Sequence, residues 1–384
     1  MSRVIEEHAI YVGDTRRLAA LTHAIEETVR PGDVVLDLGT GTGILSVLAM
    51  RAGAARVYAI ESGAIIELAR EVARTNGFQD RIVFLRGHST QVELPERVDA
   101  VVGDMIGRFG FDYGLLEAHC DLRARFLKPS SRVIPIWVDV QIMAIESVEA
   151  WESVELWGRS PAGVDLRPVR AIATNVEYPY RVRKKHLLSR VATLARLEIA
   201  TAEEEPIRSE VCLEVERAGT FHGLAGGFRA QLSPNVEITN SPLSDERLDR
   251  ANTYFPVDRP VEVEPGDLIQ LGIHIVPRSR AVTWRVVVRG GPGAAEPGVE
   301  KARFNHSTLC GTPISQEDLR RTRPQFTPAL SAHGAARLTV LRLCSGRTPL
   351  HEIEQETLRR HSDLFASLDQ AASFVAGVVE NNAV

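Results

Sequence analysis

Three glycines within five positions follow a short apolar run in the stretch VVLDLGTGTGILS. Gly39, Gly41 and Gly43 let the backbone turn sharply and let a ligand approach where a side chain would block it. Asp37 stands before this loop, and Glu61 ends the next apolar run, RVYAIE. An acid at the end of that strand can accept both hydroxyl groups of a ribose. The spacing therefore predicts a nucleoside ligand between the loop and Glu61.

A dinucleotide-binding loop would follow G-x-G-x-x-G, whereas here the third glycine comes one position early. The carboxylate of Asp37 suits an ammonium group better than a pyrophosphate. The stretch LDLGTGTGILS and the later AIE resemble the first two motifs of the class I S-adenosylmethionine-dependent methyltransferases. This resemblance implies that S-adenosylmethionine is the cofactor, with Ser89 and Thr90 near the adenine. The implied cofactor-binding residues are Asp37, Gly39, Gly41, Gly43, Glu61, Ser62, Ser89, Thr90 and Asp104.

The alternation of strand-like and helix-like segments divides the chain. Up to residue 146, apolar runs alternate with helical patterns, which predicts an α/β domain with a Rossmann-like parallel sheet. Residues 147–290 show short alternating runs between turn residues, which predicts a β-barrel or sandwich. Residues 291–300 have the composition of a linker. Residues 301–384 predict a C-terminal module that is helical or winged.

Composition narrows the class of protein. The 384 residues are 44% hydrophobic and 25% charged, with a formal net charge of −5, as in an ordinary globular protein. This charge argues against a nucleic-acid partner bound through its phosphates. The four cysteines lack C-x-x-C spacing, so the sequence indicates neither a disulfide framework nor a metal site. No apolar stretch is long enough to cross a membrane. We expect a soluble cytoplasmic protein.

A second resemblance covers residues 8–290. Both the order of the two domains and four stretches of sequence resemble the protein arginine methyltransferases. The stretches are GDMIGRFGFDYGLLEA, WESVELWG, ATNVEYPYRV and EVCLEVERAGTFHGLAGGFRAQL. In that family the first of these stretches carries two catalytic glutamates. The stretches WESVELWG and ATNVEYPYRV match the start of that family's barrel and the region of its dimerisation arm, which would lie near residues 165–190 here. The resemblance therefore implies a homodimer.

The sequence departs from this family where catalysis would occur. Asp104 fills the first glutamate position, and Tyr113 fills the second, with Asp112 one position away. Two carboxylates bind the fork of a guanidinium and concentrate electron density on the attacking nitrogen, and Asp104 alone offers half of that. The family's threonine–histidine–tryptophan stretch matches residues 247–249. There Arg247 would repel a guanidinium or be neutralised by Asp249.

These departures favour an acceptor other than a standard protein arginine. The candidate catalytic residues are Asp104 first, then Asp112, Tyr113 and Glu117. Competing structural roles remain open, because an acid after a strand also caps helices and an aromatic side chain on the loop also packs in a core. The hydroxyl groups of Ser89 and Thr90 are also typical of ordinary turns.

We therefore predict a methyltransferase that modifies a nitrogen or oxygen of a peptide or small-molecule acceptor. One alternative is a true protein arginine methyltransferase with a rebuilt acid pair, and another is an inactive cofactor-binding scaffold. A ribosomal-protein methyltransferase would also fit the cofactor motif. The tail LRLCSGRTPLHEIEQETLRRHSDLFASLDQAASFVAGVVE resembles the small PqqD-like modules that bind leader peptides, and this likeness favours a peptide acceptor.

Overall fold

The computed structural model describes residues 3–294 and 296–382. They form two compact units, of which the first ends at Pro313 and the second begins at Ile314. The helices of the first unit are α1 (Arg3–Gly13), α2 (Thr15–Thr28), α3 (Ile44–Arg51), α4 (Ile66–Thr75), α5 (Leu115–Arg125), α6 (Val148–Glu155) and α7 (Arg167–Ala173). Its strands are β1 (Val34–Leu38), β2 (Arg56–Glu61), β3 (Ile82–Arg86), β4 (Val98–Gly103), β5 (Leu127–Val133), β6 (Trp137–Ile145), β7 (Tyr178–Tyr180), β8 (Ala192–Glu198), β9 (Ile207–Glu214), β10 (Gly219–Ser233), β11 (Val236–Thr239), β12 (Asn252–Val263), β13 (Leu268–Val276), β14 (Ala281–Arg289) and β15 (Glu300–Ser307).

The first five strands form the predicted parallel sheet, in the order β3-β2-β1-β4-β5. These strands are rich in Val, Ile, Leu and Ala, and most of their side chains are buried because helices cover both faces of such a sheet. The chain runs outward from β1 through β2 to β3 and then returns to the other side at β4. The carboxyl ends of β1, β2 and β4 therefore meet at a switch point, where ligands bind in open α/β sheets.

The remaining strands form two antiparallel sheets. One has the order β7-β12-β10-β6-β8 with β11 beside β10, and the other has the order β15-β14-β13-β9. The rings of Phe255 and Trp284, with centroids 5.3 Å apart, connect the two sheets through one buried core. The predicted combination of an α/β domain with an antiparallel β-domain is confirmed.

Three predicted boundaries need correction, the first being the start of the C-terminal module, which lies at Ile314 and not at residue 301, because β15 pairs with β14 in the first unit. Strand β6 lies between β10 and β8 in the antiparallel sheet, so the β-domain begins before residue 147. Nearly every residue of β6 is buried. Its sequence is therefore a nearly continuous apolar run, which is typical of strands in parallel sheets. Residues 291–300 are no linker, because β15 pairs with β14 and the segment between them closes a hairpin. Hairpin turns and linkers share a Pro- and Gly-rich composition.

Helix α2 is attached to the β-domain through Glu27. One carboxylate oxygen of Glu27 accepts hydrogen bonds from the Ser233 hydroxyl at 2.6 Å and the Asn235 amide at 3.2 Å. The other accepts from the Asn235 side chain at 3.1 Å. These contacts hold the N-terminal helices across the end of the parallel sheet.

The second unit is helical, as predicted, and its described residues contain no strand of a winged module. Its helices are α8 (Gln316–Arg321), α9 (Ala332–Leu343), α10 (Leu350–Arg360) and α11 (Leu368–Asn382). Two buried apolar clusters form its core, and α11 contributes to both because apolar positions recur along it at helical spacing. One cluster contains Val340, Ile353, Val375 and Val378, and the other contains Ala336, Phe365 and Ala371. Over residues 3–294 and 296–382, no helix is both long and apolar enough to cross a membrane.

Candidate functional site

A cavity of about 420 Å³ lies at the switch point of the parallel sheet. The loop after β1 forms its floor, α1 and the first turn of α2 form one wall, and the ends of β2 and β4 form the other. It is lined by Glu7, His8, Tyr11, Val12, Arg17, Gly39, Thr40, Gly41, Thr42, Ile44, Leu45, Glu61, Ser62, Asp104, Met105 and Tyr113. The structure thus brings together six predicted site residues: Gly39, Gly41, Glu61, Ser62, Asp104 and Tyr113.

Two of the glycines are required by close contacts as well as by their backbone conformation. Gly39, Gly41 and Gly43 all have positive φ values, of 71°, 54° and 81°. A Cβ on Gly41 would lie 2.7 Å from the ring of His8, so this glycine lets α1 approach the loop. Gly43 lies outside the cavity, and a Cβ there would meet Ala69 of α4 at 3.1 Å. Gly43 therefore serves helix packing.

Asp37 lies fully buried beneath the loop. Its Oδ2 accepts hydrogen bonds from the hydroxyls of Thr40 and Ser46, both at 2.6 Å, which tie the loop to α3. Its Oδ1 is buried and has no hydrogen-bond partner among the described residues. Burial raises the pKa of Asp37 to about 6, although both hydroxyl contacts lower it. An oxygen of this kind is suited to a donor that a ligand supplies.

Glu61 stands at the end of β2 and faces the glycine loop, as predicted. Its Oε2 accepts a hydrogen bond from the Gly41 amide at 3.1 Å, and its Oε1 accepts one from the Gly63 amide at 2.8 Å. Each carboxylate oxygen can accept a further bond. The carboxylate is thus positioned by the backbone with acceptor capacity remaining toward the cavity.

Asp104 follows β4 and lies between two arginine side chains. Arg17 Nε donates to Oδ2 at 2.5 Å. Arg250 donates from Nη2 to Oδ2 at 2.7 Å and from Nη1 to Oδ1 at 3.2 Å. The side chains of Asp104, Arg17 and Arg250 are only 3%, 9% and 11% exposed. Burial by itself raises the pKa of Asp104, but the charges of Arg250 and Arg17 outweigh it and hold the pKa well below its usual range.

This arrangement has two consequences for the chemistry of the cavity. Both oxygens of Asp104 are already bound, and the three groups together carry one formal positive charge. The sequence analysis did not identify Arg17 or Arg250. Arg250 lies three residues beyond Arg247, the arginine that was predicted to approach this pocket. Only the path of the chain after β11 determines which of these two arginines reaches Asp104.

Arg247 and Asp249 do not behave as predicted. Arg247 Nη1 donates to the Val182 carbonyl at 2.6 Å, and Asp249 forms an ion pair with Arg181. Neither residue lines the cavity at the glycine loop. The predicted neutralisation of Arg247 by Asp249 is therefore absent, because each side chain is held by a different partner.

Five other predicted site residues lie outside the cavity lining: Asp37, Asp112, Glu117, Ser89 and Thr90. Asp112 accepts hydrogen bonds from the backbone amides of Arg108 and Phe109, at 2.6 and 3.0 Å, and so stabilises its own loop. The carbonyl of Ser89 accepts from Arg125. The Thr90 hydroxyl forms a hydrogen bond with the ring of His88, and Glu117 lies in the first turn of α5.

Tyr113 lies in the cavity, where its hydroxyl is 3.3 Å from that of Tyr11. This contact joins α1 to the loop before α5. Burial raises the pKa of Tyr11, and the contact with Tyr113 raises it further. Tyr11 therefore stays protonated at neutral pH. Tyr113 thus stands where the resembled family has its second glutamate, and its phenol is hydrogen-bonded to that of Tyr11.

Known proteins resemble the α/β domain and, over longer stretches, most of the chain. Residues 17–109 match a family model described as ribosomal protein L11 methyltransferase (PrmA). An arginine N(omega)-methyltransferase of Streptomyces achromogenes subsp. streptozoticus is 28% identical over 69% of this chain and 74% of its own. Protein arginine N-methyltransferase 6 of Xenopus tropicalis is 26% identical over 75% of this chain and 90% of its own.

Solved structures agree on the fold. The Trypanosoma brucei PRMT1 enzyme–prozyme heterotetrameric complex with AdoHcy superimposes with a TM-score of 0.69 at 21% identity, covering 78% of this chain and 96% of that one. Arabidopsis thaliana protein arginine methyltransferase 10 gives a TM-score of 0.65 at 20% identity, with coverages of 77% and 96%. The motifs, the fold and the relatives identify the chain as an S-adenosylmethionine-dependent methyltransferase with an architecture like that of the protein arginine methyltransferases.

Proposed function

We propose that the cavity at the glycine loop holds S-adenosylmethionine. Three features fit that molecule: the cavity lining at Gly39 and Gly41, which carries no side chains, the acceptor capacity of Glu61 for a ribose, and the buried, unpartnered Oδ1 of Asp37 for an ammonium. Arg17 lines the same cavity, and in the described structure its Nη2 has no hydrogen-bond partner. We assign it to the carboxylate of the amino-acid end.

The bound cofactor supplies a methyl group that its positively charged sulfur has already activated. The protein then has to hold the acceptor atom in line with that methyl and exclude water. Asp104 holds Arg17 and Arg250 in place, which makes it a positioning residue. The hydroxyl groups of Tyr11 and Tyr113 can donate hydrogen bonds to an acceptor oxygen or nitrogen.

We propose that the acceptor is a peptide or small molecule whose nucleophilic nitrogen or oxygen carries no positive charge. The bidentate pair between Arg250 and Asp104 carries this proposal, because Arg250 occupies the carboxylate that a substrate guanidinium would need. A charge-assisted contact is worth about 1.5–3 kcal/mol, and an incoming guanidinium would have to replace it beside a net positive charge. The PqqD-like resemblance of the tail is the reason to include peptides among the acceptors.

The names of the relatives favour a second candidate, methylation of an arginine. The Streptomyces relative is called an arginine N(omega)-methyltransferase, and the Xenopus relative is called a protein arginine methyltransferase. On that alternative, Arg250 has to leave Asp104 before the guanidinium enters.

A methyl-transfer assay separates the two candidates. The protein is incubated with labelled cofactor and, in separate reactions, with a glycine–arginine-rich peptide, free arginine, and neutral and acidic peptides. We expect very slow transfer to both arginine acceptors. We expect the triple variant Asp104→Glu, Tyr113→Glu, Arg250→Gln to gain arginine activity, and the double variant that retains Arg250 to gain less. Rapid arginine methylation by the unchanged protein would establish the second candidate.

We further propose a cytoplasmic homodimer formed through the predicted arm near residues 165–190 and the adjoining part of the insertion between β6 and β7. The insertion exposes apolar side chains at Val148, Leu156 and Val164, which are 63%, 48% and 57% exposed. Self-complementary apolar patches of this kind are typical of two-fold dimers. Sedimentation at micromolar concentration should give a dimer for the parent and a monomer for Val164→Asp. A parent monomer would refute the proposal.

A further inference from the structure

A second and larger cavity, of about 730 Å³, lies beside the cofactor cavity. Its walls are the end of α1, the start of α2, the turn at residues 183–184 and the loop at residues 242–249. The two cavities are lined by different residues that neighbour each other along the chain: Arg16 lines the larger cavity and Arg17 the smaller one. Asp249 lines the larger cavity, and the next residue, Arg250, reaches Asp104. The chain neighbours of Arg17 and Arg250 therefore line the second cavity.

Two arginines in this cavity are held by backbone carbonyls and not by carboxylates. Arg16 Nη1 donates to the Asp245 carbonyl at 2.5 Å, and Arg247 Nη1 donates to the Val182 carbonyl at 2.6 Å. Neither makes an ion pair among the described residues. These contacts orient each guanidinium while leaving its charge uncompensated and most of its N–H donors free.

The other charges in the lining do not cancel this excess. Arg183 and Lys184 add two cations, whereas the lining contains three carboxylates. Asp14 accepts the Arg17 backbone amide as the cap of α2, and Asp249 is paired with Arg181 outside the lining. The Asp14 carboxylate keeps its negative charge, so Asp14 and Asp245 balance two of the four cations and a net positive charge remains.

We propose that this cavity binds a carboxylate or phosphate group of the methyl acceptor through Arg16 and Arg247. Guanidinium forks match the geometry of both anions. The volume is that of a small-molecule site or of a pocket for a short peptide segment. This inference rests on the proposed function, since it places the acceptor's anion beside the cofactor cavity. The source of the anion is either a free metabolite or an acidic side chain of a peptide.

The test measures fluorescence anisotropy with full-length protein loaded with S-adenosylhomocysteine. The probes are an acidic pentapeptide, GDSDG, and a basic one, GKSKG, each carrying the same uncharged dye. N-acetylaspartate and inorganic phosphate are added as competitors. The variants are Arg16→Gln, Arg247→Gln and the charge-preserving Arg247→Lys. Lys185→Gln is the matched control, because it lies on the same turn outside the lining.

We expect the acidic peptide to bind more tightly than the basic one. Its affinity should fall by at least about tenfold in each Gln variant, change less in Arg247→Lys, and stay within about twofold in the control. Displacement by N-acetylaspartate or phosphate at lower concentration than by unlabelled peptide would identify a free metabolite, and the reverse order would identify a peptide. Equal binding by Arg247→Gln and the parent, or tighter binding of the basic peptide, would overturn the inference.

Calorimetry with S-adenosylhomocysteine on the same proteins separates this inference from the proposed function. If the cofactor binds and the acidic probe does not, only the assignment of the second cavity fails. If the cofactor itself does not bind to the parent protein, the proposed function fails.

Discussion

Arg250 donates two parallel hydrogen bonds to Asp104, from Nη2 to Oδ2 at 2.7 Å and from Nη1 to Oδ1 at 3.2 Å. Arg17 adds a third bond to Oδ2 at 2.5 Å. One buried carboxylate thus serves two buried guanidinium groups. The cluster joins the strand end of the α/β domain to the β-domain, so it bears on stability as well as on the acceptor.

Removing the acid should destabilise the protein more than removing one arginine. Asp104→Asn leaves two buried cations facing each other, and breaking a buried ion pair in this way costs about 3–5 kcal/mol. Arg250→Met leaves a neutral Arg17–Asp104 pair, so we expect a smaller loss. Thermal unfolding midpoints of the two variants provide the comparison. An equal or greater loss in Arg250→Met would contradict the charge assignment of the cluster.

Glu61→Ala should abolish most of the affinity for S-adenosylhomocysteine. The variant loses the acceptors for the ribose and the bonds that hold the amides of Gly41 and Gly63. Losing two hydrogen bonds to a charged group corresponds to about 3–6 kcal/mol. Titration calorimetry measures the change, and Glu67→Ala, an exposed acid at the start of α4, is the control. Unchanged affinity in Glu61→Ala would remove Glu61 from the cofactor site.

Asp37→Asn should stabilise the fold while weakening cofactor binding. The pKa of Asp37 is about 6 in the folded protein against 3.8 for the ordinary group, so the unfolded chain loses its proton first as the pH rises. Stability therefore decreases between about pH 4 and 6 and stays lower above it, by up to about 3 kcal/mol. Asparagine removes this loss of stability. The free energy of unfolding of Asp37→Asn should therefore exceed that of the parent by more at pH 7.5 than at pH 4.5.

Binding measurements on the same variant provide the second half of that test. The unpartnered Oδ1 of Asp37 should accept from an ammonium, so affinity for S-adenosylhomocysteine should fall in Asp37→Asn. Asp80→Asn, on an exposed turn, controls for the loss of one negative charge. A variant that binds the cofactor as tightly as the parent would limit Asp37 to its bonds with Thr40 and Ser46.

His119 should make the protein less stable in mild acid. It is buried in α5, and burial together with the charge of Arg123 lowers its pKa to about 4 from 6.5. As the pH falls below 6.5, the unfolded chain takes up a proton that the folded protein refuses, so stability declines until about pH 4. The loss between pH 7.5 and pH 5 is about 2 kcal/mol.

The variant His119→Gln isolates this contribution. It should show a smaller drop in unfolding midpoint between pH 7.5 and pH 5 than the parent does, even if it is less stable at both values. The paired carboxylates also lose stability in acid, but they do so equally in both proteins. The same drop in the two proteins would exclude His119 as the cause.

The sequence alone was sufficient for the features that depend on local pattern. The alternation of strands and helices predicted the parallel sheet, and the glycine spacing with Glu61 predicted the floor and far end of the cavity. Both signals lie within about 30 residues of chain, where periodicity and turn chemistry determine the backbone. The same local reasoning assigned β6 and residues 291–300 wrongly, because burial on both faces and turn composition do not say which sheet a segment joins.

Tertiary structure alone decided which charges meet. Arg17 lies 87 positions before Asp104 in the sequence, and Arg250 lies 146 positions after it. Nothing in the local sequence distinguishes Arg250 from Arg247. Their side chains meet because the end of β4, the first turn of α2 and the loop before β12 converge at one edge of the sheet. The pairing of charged side chains depends on that convergence and on the exclusion of water, and neither is a property of any single segment.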